Sequence, residues 1–238
     1  MRNNVLQFIM GSVLLYYGAE FLIIGSKSIA QRFKIAPIVV GITLVAIGTS
    51  LPELIVSIIA ILRDEPGIVV GNVVGSNIAN ISLVLGITAI MTPLYFSYNK
   101  IRLDLYFLLF ITFLPLIFIY LGDLVFWQGL CFILLLAGYC WQLYQKDQVI
   151  DEEDIDTNYN IVFLILKLIL GIIGLALGAH FFVLGAQGIA ISLGVSSLII
   201  GMSIVALGTS LPELAASLTA ARHNQTGLII GNIIGSNI

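Results

Sequence analysis

Two short stretches of this sequence place a carboxylate directly after two hydroxyl groups and a proline. They run from Thr49 to Glu53 and from Thr209 to Glu213, and both read Thr-Ser-Leu-Pro-Glu. Residues three and four positions apart share one face of a helix, so each glutamate is expected beside both hydroxyls of its own stretch. Those hydroxyls belong to Thr49, Ser50, Thr209 and Ser210. Carboxylate and hydroxyl oxygens are the hard ligands that Ca²⁺ prefers, so the stretches predict an oxygen-lined cation site.

The prolines of these stretches are expected to free additional oxygen atoms. A proline lacks an N–H donor and clashes with the carbonyl of the preceding turn, so Pro52 leaves the carbonyl of Gly48 without its helical partner. The second stretch repeats this arrangement. Irregular backbone survives inside a membrane only against protein or a water-filled cavity. The freed backbone carbonyls are those of residues 46–48 and 206–208. We expect them to bind the cation, and Ala46 and Ala206 are the first residue of each group.

A second group of polar side chains follows at helical spacing. Asn72, Ser76 and Asn80 lie four residues apart, so they share one face of the next helix. Their amide and hydroxyl oxygens extend the predicted ligand set. The sequence has no clustered histidines and cysteines of the kind that bind zinc or copper, which leaves a hard cation as the predicted ligand.

The two stretches belong to a long internal repeat. Residues 41–78 and 201–238 align without a gap at an offset of 160 positions, with 19 identities in 38 positions. The identities include proline, glutamate, asparagine, threonine and glycine, which apolar sequence does not match by chance. A Gly-Asn-x-x-Gly-Ser-Asn motif begins at Gly71 and again at Gly231.

The composition predicts a protein that crosses the membrane several times. Of its 238 residues, 59% are hydrophobic and only 10% are charged, and the mean hydropathy is +1.09. A soluble domain carries charges on about a quarter of its residues. The net charge of −3 excludes a basic surface for nucleic acid. Six of the 13 acidic residues lie between residues 147 and 156.

Apolar runs of spanning length separated by polar turns predict an all-α membrane protein. We place the spans at residues 5–26, 37–62, 67–92, 103–121, 124–144, 160–186 and 197–221, with an eighth beginning near residue 227. With the N-terminus outside, seven basic residues lie on the cytoplasmic side against two outside. The seven are Lys27, Arg32, Lys34, Lys100, Arg102, Lys146 and Arg222.

The repeat copies are predicted to run in opposite directions through the bilayer. Glu53 lies in the second span and Glu213 in the seventh, so an odd number of crossings separates them. Inverted repeats of this kind place a substrate site near the middle of the membrane. Small residues and a proline kink also occur in ordinary helix packing. A carboxylate at this depth is costly without a partner, however, which favours an ion site over packing alone.

These motifs resemble the repeats of the cation/Ca²⁺ antiporter superfamily, and most of all its bacterial sodium/calcium exchangers, including the potassium-dependent type. The resemblance implies ten spans, five in each repeat, with ion sites around Glu53 and Glu213. It also implies that the other ligands come from Thr49, Ser50, Thr209, Ser210, Ser76, Ser236, Asn80 and the carbonyls of Ala46 and Ala206.

The function that the resemblance implies is secondary antiport of Ca²⁺ against Na⁺, with K⁺ as an open further substrate. The alternatives are exchange of Ca²⁺ or another divalent cation for H⁺ and, with less support, a cation channel. We expect no enzymatic activity and no cofactor, since Ca²⁺ and Na⁺ are cargo. The bilayer is the expected surrounding, in the inner (plasma) membrane, and the sequence leaves the oligomeric state open.

The repeats divide the chain into three parts. The first repeat covers residues 1–145, an acidic cytoplasmic linker covers 146–159, and an incomplete second repeat covers 160–238. We expect that the eighth span is cut at Ile238 and that the partner of Asn80 in the second repeat, position 240, lies beyond the printed sequence. That position would decide whether K⁺ is required. We also expect residues 1–238 alone not to transport.

Overall fold

The computed structural model describes residues 1–122, 125–145, 160–200, 204 and 206–238, and all of its regular elements are helices. The predicted acidic linker, residues 146–159, lies outside the described residues. The α-helices are α1 (Arg2–Phe33), α2 (Pro37–Val40), α3 (Ala46–Thr49), α4 (Leu51–Leu62), α5 (Pro66–Ala79), α6 (Gly86–Met91), α7 (Tyr98–Leu121), α8 (Phe126–Gln145), α9 (Ile161–Ser192), α10 (Ser197–Ile200), α11 (Ala206–Gly208), α12 (Leu211–Arg222) and α13 (Thr226–Gly235). Two π-helical turns, Gly41–Val45 and Asn80–Leu85, join α2 to α3 and α5 to α6.

Six of the predicted spans correspond to these helices, whereas the predicted span 197–221 includes residues outside the described part of the chain. Among the described residues, five helices are long and apolar enough to cross a membrane, and a sixth span is bent. The bent span joins Pro37–Thr49 to Leu51–Leu62 at an angle of 45°. The all-helical membrane fold is therefore confirmed. The break falls at Ser50, two residues before Pro52, the proline from which it was predicted.

The two longest helices, α1 and α9, pack against each other through glycines. Gly18 of α1 approaches α9 so closely that an added Cβ would lie 2.6 Å from the backbone nitrogen of Leu175. The equivalent residue of the second repeat, Gly178, would place a Cβ 2.6 Å from the nitrogen of Leu15. Small residues let membrane helices approach at backbone distance, where van der Waals contact holds them together.

The helices that carry the polar motifs fill the space beside this pair. Buried side chains from α1 and α9 pack on those of α12 and α13 and of the first bent span in one cluster. Val45, Ala216, Ala220 and Leu228 lie at its centre and are almost fully buried. The first bent span and α13 are thus neighbours, although they come from different repeats.

The two repeats differ in how much of their polar helices is covered. Ile230 and Ile234 of α13 are only 7% and 4% exposed, because α7 and α8 contribute side chains to a second cluster around them. The equivalent residues of α5, Val70 and Val74, are 45% and 50% exposed.

We predict that Gly18→Ala lowers the thermal stability of the protein in detergent. The added methyl group would collide with the backbone of α9, and such overpacking costs about 3 kcal/mol when backbones must separate. Gly138→Ala in α8 is the matched control, because nothing lies within 4 Å of its added Cβ. Equal melting temperatures for the two variants, followed by fluorescence-detected size exclusion, would contradict the glycine contact.

Candidate cation site

Each polar stretch forms the start of a helix at a break in its span. Ser50 and Ser210 have the same backbone conformation, φ −86° and ψ 5° in one and φ −86° and ψ 6° in the other. Proline then occupies the first turn of α4 and of α12, and Glu53 and Glu213 lie in those turns. The positive end of a helix dipole favours a negative group, so both carboxylates occupy a favourable position for an anion.

The structure brings the two stretches together across the repeats. The hydroxyl of Ser50 donates to Oε1 of Glu213 over 3.1 Å. Glu53 and Glu213 lie close enough for their charges to repel each other. Thr209 neighbours Glu53, and Thr49 neighbours Glu213. Each carboxylate therefore faces hydroxyl groups of the opposite repeat.

The carboxylates have several oxygens around them that lack a protein partner. Among the described residues, nine buried side-chain oxygens make no hydrogen bond within the protein, and five of them belong to predicted ligands. These five are Oε1 and Oε2 of Glu53, Oε2 of Glu213, Oγ of Ser210 and Oδ1 of Asn80. An uncompensated polar atom in an apolar environment costs about 1–3 kcal/mol, and a charged one costs more. Four of these five atoms can only accept, since a carboxylate or amide oxygen has no proton to donate. A cation satisfies such a set directly.

The number of acidic groups restricts the charge that the site accepts. Among the described residues, no three His, Cys, Asp or Glu side chains come together. The two glutamates are thus the charged members of the set, and the remaining ligands are neutral oxygens. Two carboxylates neutralise one divalent cation.

Two asparagines hold the glutamate-bearing turns in place. The side-chain nitrogen of Asn232 donates to the backbone carbonyl of Glu213 over 3.3 Å and to the hydroxyl of Ser217 over 3.0 Å. In the first repeat, Asn72 donates to the carbonyl of Glu53 and to Ser57, each over 3.0 Å. Asn72 was predicted as an ion ligand, whereas no role was predicted for Asn232, Ser57 or Ser217. The offset of 160 positions relates both pairs, and it is the signal that could have identified them.

Asn232 also connects the site to α3 and to the end of α13. Its Oδ1 lies 3.2 Å from the hydroxyl of Thr49 and 3.5 Å from that of Ser236. The backbone carbonyl of Ser236 in turn lies 3.5 Å from the side-chain nitrogen of Asn80. Thr49, Ser236 and Asn80 are therefore joined to the backbone of Glu213 in one polar network.

Two of the predicted ligands are occupied by other contacts. The carbonyl of Ala46, which we expected to be free, accepts the N–H of Ser50 over 3.0 Å and lies 3.2 Å from the hydroxyl of Thr49. The expectation of a free carbonyl is wrong here, because the residue four positions after Ala46 is Ser50, which has an N–H, and Pro52 removes the helical donor only for Gly48. The hydroxyl of Ser76 donates to the carbonyl of Val73 over 3.1 Å. Ala206, the remaining predicted ligand, begins α11.

A further polar contact ties α1 to α12 outside this network. Nε2 of His223 lies 2.8 Å from Oε1 of Glu20, and the guanidinium of Arg222 lies over the ring of Tyr16. Glu20 therefore contacts the helix that carries Glu213. This contact was not predicted. The repeat gives no signal for it, because the residue equivalent to His223 in the first repeat is Arg63.

Comparison with known proteins gives a consistent result. The sequence profile of the family described as "Sodium/calcium exchanger protein" matches residues 3–145 and 163–238. An uncharacterized membrane protein of Methanocaldococcus jannaschii is 43% identical over 233 residues, which are 97% of this chain and 76% of that protein. The sodium/calcium exchanger MaX1 of Methanosarcina acetivorans is 41% identical over 115 residues, which are 48% of this chain and 33% of that protein.

The fold also matches solved structures. A structure of the sodium-calcium exchanger NCX_Mj superimposes with a TM-score of 0.86 at 42% identity and covers 99% of this chain and 78% of the exchanger chain. A second structure, of the sodium/calcium exchanger from Methanococcus jannaschii, gives a TM-score of 0.85 at 40% identity. The inverted repeats, the paired glutamates and these matches agree, and the chain belongs to the sodium/calcium exchanger family.

Proposed function

We propose that Glu53 and Glu213 are the charged ligands through which this exchanger binds Ca²⁺ and Na⁺ in alternation. The observation that carries the proposal is the group of five buried oxygens without protein partners around the two carboxylates. Carboxylate, hydroxyl and amide oxygens suit both ions, since each is a hard cation. The same oxygens can serve both, so that the arrival of one ion displaces the other.

Charge balance explains why the two fluxes are coupled. Two carboxylates without a cation carry an uncompensated negative charge, and moving such a charge through a closed protein interior costs several kcal/mol. One Ca²⁺ or a set of Na⁺ ions removes that charge. Only the loaded protein should therefore change its access from one side to the other. If more positive charge enters with Na⁺ than leaves with Ca²⁺, the membrane potential adds about 2.3 kcal/mol per charge at 100 mV.

The remaining ligands take positions around these carboxylates. Ser50 already contacts Glu213, and the free Oδ1 of Asn80 supplies a neutral oxygen. The other proposed ligands are Thr49, Thr209, Ser210 and Ser236. Asn72 and Asn232 act as positioning residues, because their nitrogens hold the backbone from which each glutamate projects.

The inverted repeats suggest how the site reaches each side of the membrane. Equivalent breaks at Ser50 and Ser210 give the two bent spans the same local freedom at opposite orientations. We place the N-terminus outside and the protein in the plasma membrane. In support, Lys27, Lys34 and Lys100 line one cavity, so they lie at the same end of the molecule.

In a full-length exchanger that contains residues 1–238, we predict that Glu53→Gln and Glu213→Gln each reduce Na⁺-driven ⁴⁵Ca²⁺ uptake to the level of vesicles without the protein. The amide keeps the shape of the side chain but removes half of the charge that balances Ca²⁺. The measurement uses membrane vesicles from cells that express the protein. Glu65→Gln is the matched control, since Glu65 is an exposed carboxylate in the turn before α5 and should leave uptake unchanged.

The driving ion is tested in the same vesicles. An outward Na⁺ gradient should drive Ca²⁺ uptake, and a pH gradient without Na⁺ should not. Uptake driven by the pH gradient would support the H⁺ exchanger, and uptake that needs neither gradient would support a channel. Retention of Ca²⁺ flux by either glutamine variant at normal expression would count against the carboxylate assignment.

We predict that Asn232→Ala lowers thermal stability more than Asn72→Ala does. Both variants lose hydrogen bonds to a glutamate carbonyl and a serine, which leaves buried acceptors unsatisfied at about 1–3 kcal/mol. Asn232 is buried, whereas Asn72 is half-buried, so water can replace only the lost contacts of Asn72. Melting curves in detergent measure the difference, and a larger loss for Asn72→Ala would be inconsistent with these contacts.

A further inference from the structure

A cavity with a basic lining lies apart from the candidate cation site. Its volume is about 670 Å³, and it opens where the ends of α1 and α8 meet the beginnings of α2, α7 and α13. None of the described residues that line it belongs to the cation site. A pocket of this volume is large enough for a small organic ligand rather than for a single ion.

The lining of this cavity is basic. Lys27, Lys34 and Lys100 line it together with one acidic residue, Asp104. Asp104 is buried and accepts a hydrogen bond from the hydroxyl of Tyr139 over 3.1 Å. Lys34 and Lys100 are exposed, so their charges are available at the entrance. The lining therefore carries an excess of two positive charges, which favours an anion.

The start of α13 adds to this preference. Thr226 and Gly227 lie in its first turn and line the cavity. The N–H groups in the first turn of a helix have no partner within that helix, and they are directed towards whatever precedes it. Together with the positive end of the helix dipole, they complement the lysines as donors to an anionic group.

The rest of the wall is apolar and aromatic, which distinguishes a lipid from a free anion. Val39, Ile101 and Leu143 form part of the lining, and Tyr95 and Phe96 are exposed at its edge. Aromatic side chains of this kind lie at headgroup depth in membrane proteins. A free phosphate ion would make no use of such a surface, whereas the glycerol and the upper acyl chains of a lipid would cover it.

We propose that this cavity binds an anionic phospholipid of the predicted cytoplasmic leaflet. The headgroup phosphate lies among Lys27, Lys34 and Lys100, and the acyl chains leave along the apolar wall. Basic pockets between membrane helices on the cytoplasmic side are suited to anionic headgroups. The cavity wall comes from both repeats, so the bound lipid joins α1 and α2 to α13 and stabilises the folded protein.

The test is a titration of the purified, delipidated protein followed by native mass spectrometry. Phosphatidylglycerol should bind at least about fivefold more tightly than phosphatidylcholine with the same acyl chains, and should raise the melting temperature. Lys34→Gln and Lys100→Gln should each weaken phosphatidylglycerol binding about fivefold, because a basic residue near a headgroup contributes about that factor. Lys34→Arg and Lys100→Arg keep the charge and should retain binding.

Arg63→Gln is the matched control, since it removes one positive charge from an exposed turn that does not line the cavity. It should leave the affinity unchanged. Equal binding of the two lipids, or glutamine variants that bind phosphatidylglycerol like the wild type, would overturn the proposal. Inorganic phosphate is the remaining arm. If it raises the melting temperature as much as the lipid does and competes with it, the site takes a free anion and the lipid assignment is wrong.

Discussion

The fold is governed by the difficulty of keeping two carboxylates inside a membrane protein. An isolated carboxylate in an apolar medium is so unfavourable that it must be paired, neutralised or surrounded by donors. Here each glutamate projects from the first turn of a helix, beside hydroxyls of the opposite repeat. The two carboxylates also lie near each other, and their mutual repulsion makes the ionised form of each less favourable. The protein's own donors do not complete the set, since Oε1 and Oε2 of Glu53 and Oε2 of Glu213 have no partner. In the proposed function a mobile cation completes this set, and transport requires that it can leave again.

The two repeats share their local structure and differ in single side-chain contacts. The backbone at Ser50 and Ser210 is the same, and the side-chain nitrogens of Asn72 and Asn232 donate to equivalent partners. Local structure is therefore set by the repeated sequence. The contacts between the repeats are asymmetric, since Ser50 donates to Glu213 whereas the hydroxyl of Ser210 has no partner.

The sequence was sufficient for the parts of the structure that depend on local chemistry and on the repeat. Apolar length predicted the spans, proline predicted the break at Ser50, and the offset of the copies predicted that their stretches meet. The sequence was not sufficient for contacts in which two groups compete for the same hydrogen-bonding partner. Asn72 was predicted through its amide oxygen, whereas the hydrogen bond from its nitrogen to the carbonyl of Glu53 was not predicted. The carbonyl of Ala46 was predicted to be free, but it accepts a hydrogen bond from the N–H of Ser50. The contact of Glu20 with His223 depends on where α1 crosses α12, which no pattern in either helix specifies.

The helix α13 connects the two polar regions of the molecule. Its first turn lines the basic cavity, and Asn232, near its middle, holds the backbone of Glu213 and contacts Thr49. The helix has ten residues, so about 8 Å of continuous backbone separates Gly227 from Asn232. A regular helix of this length does not bend appreciably, because every interior hydrogen bond would have to stretch. A group that fixes the start of α13 therefore also restricts the position of Asn232. In this way the packing at the membrane surface and the geometry around the carboxylates depend on the same short element.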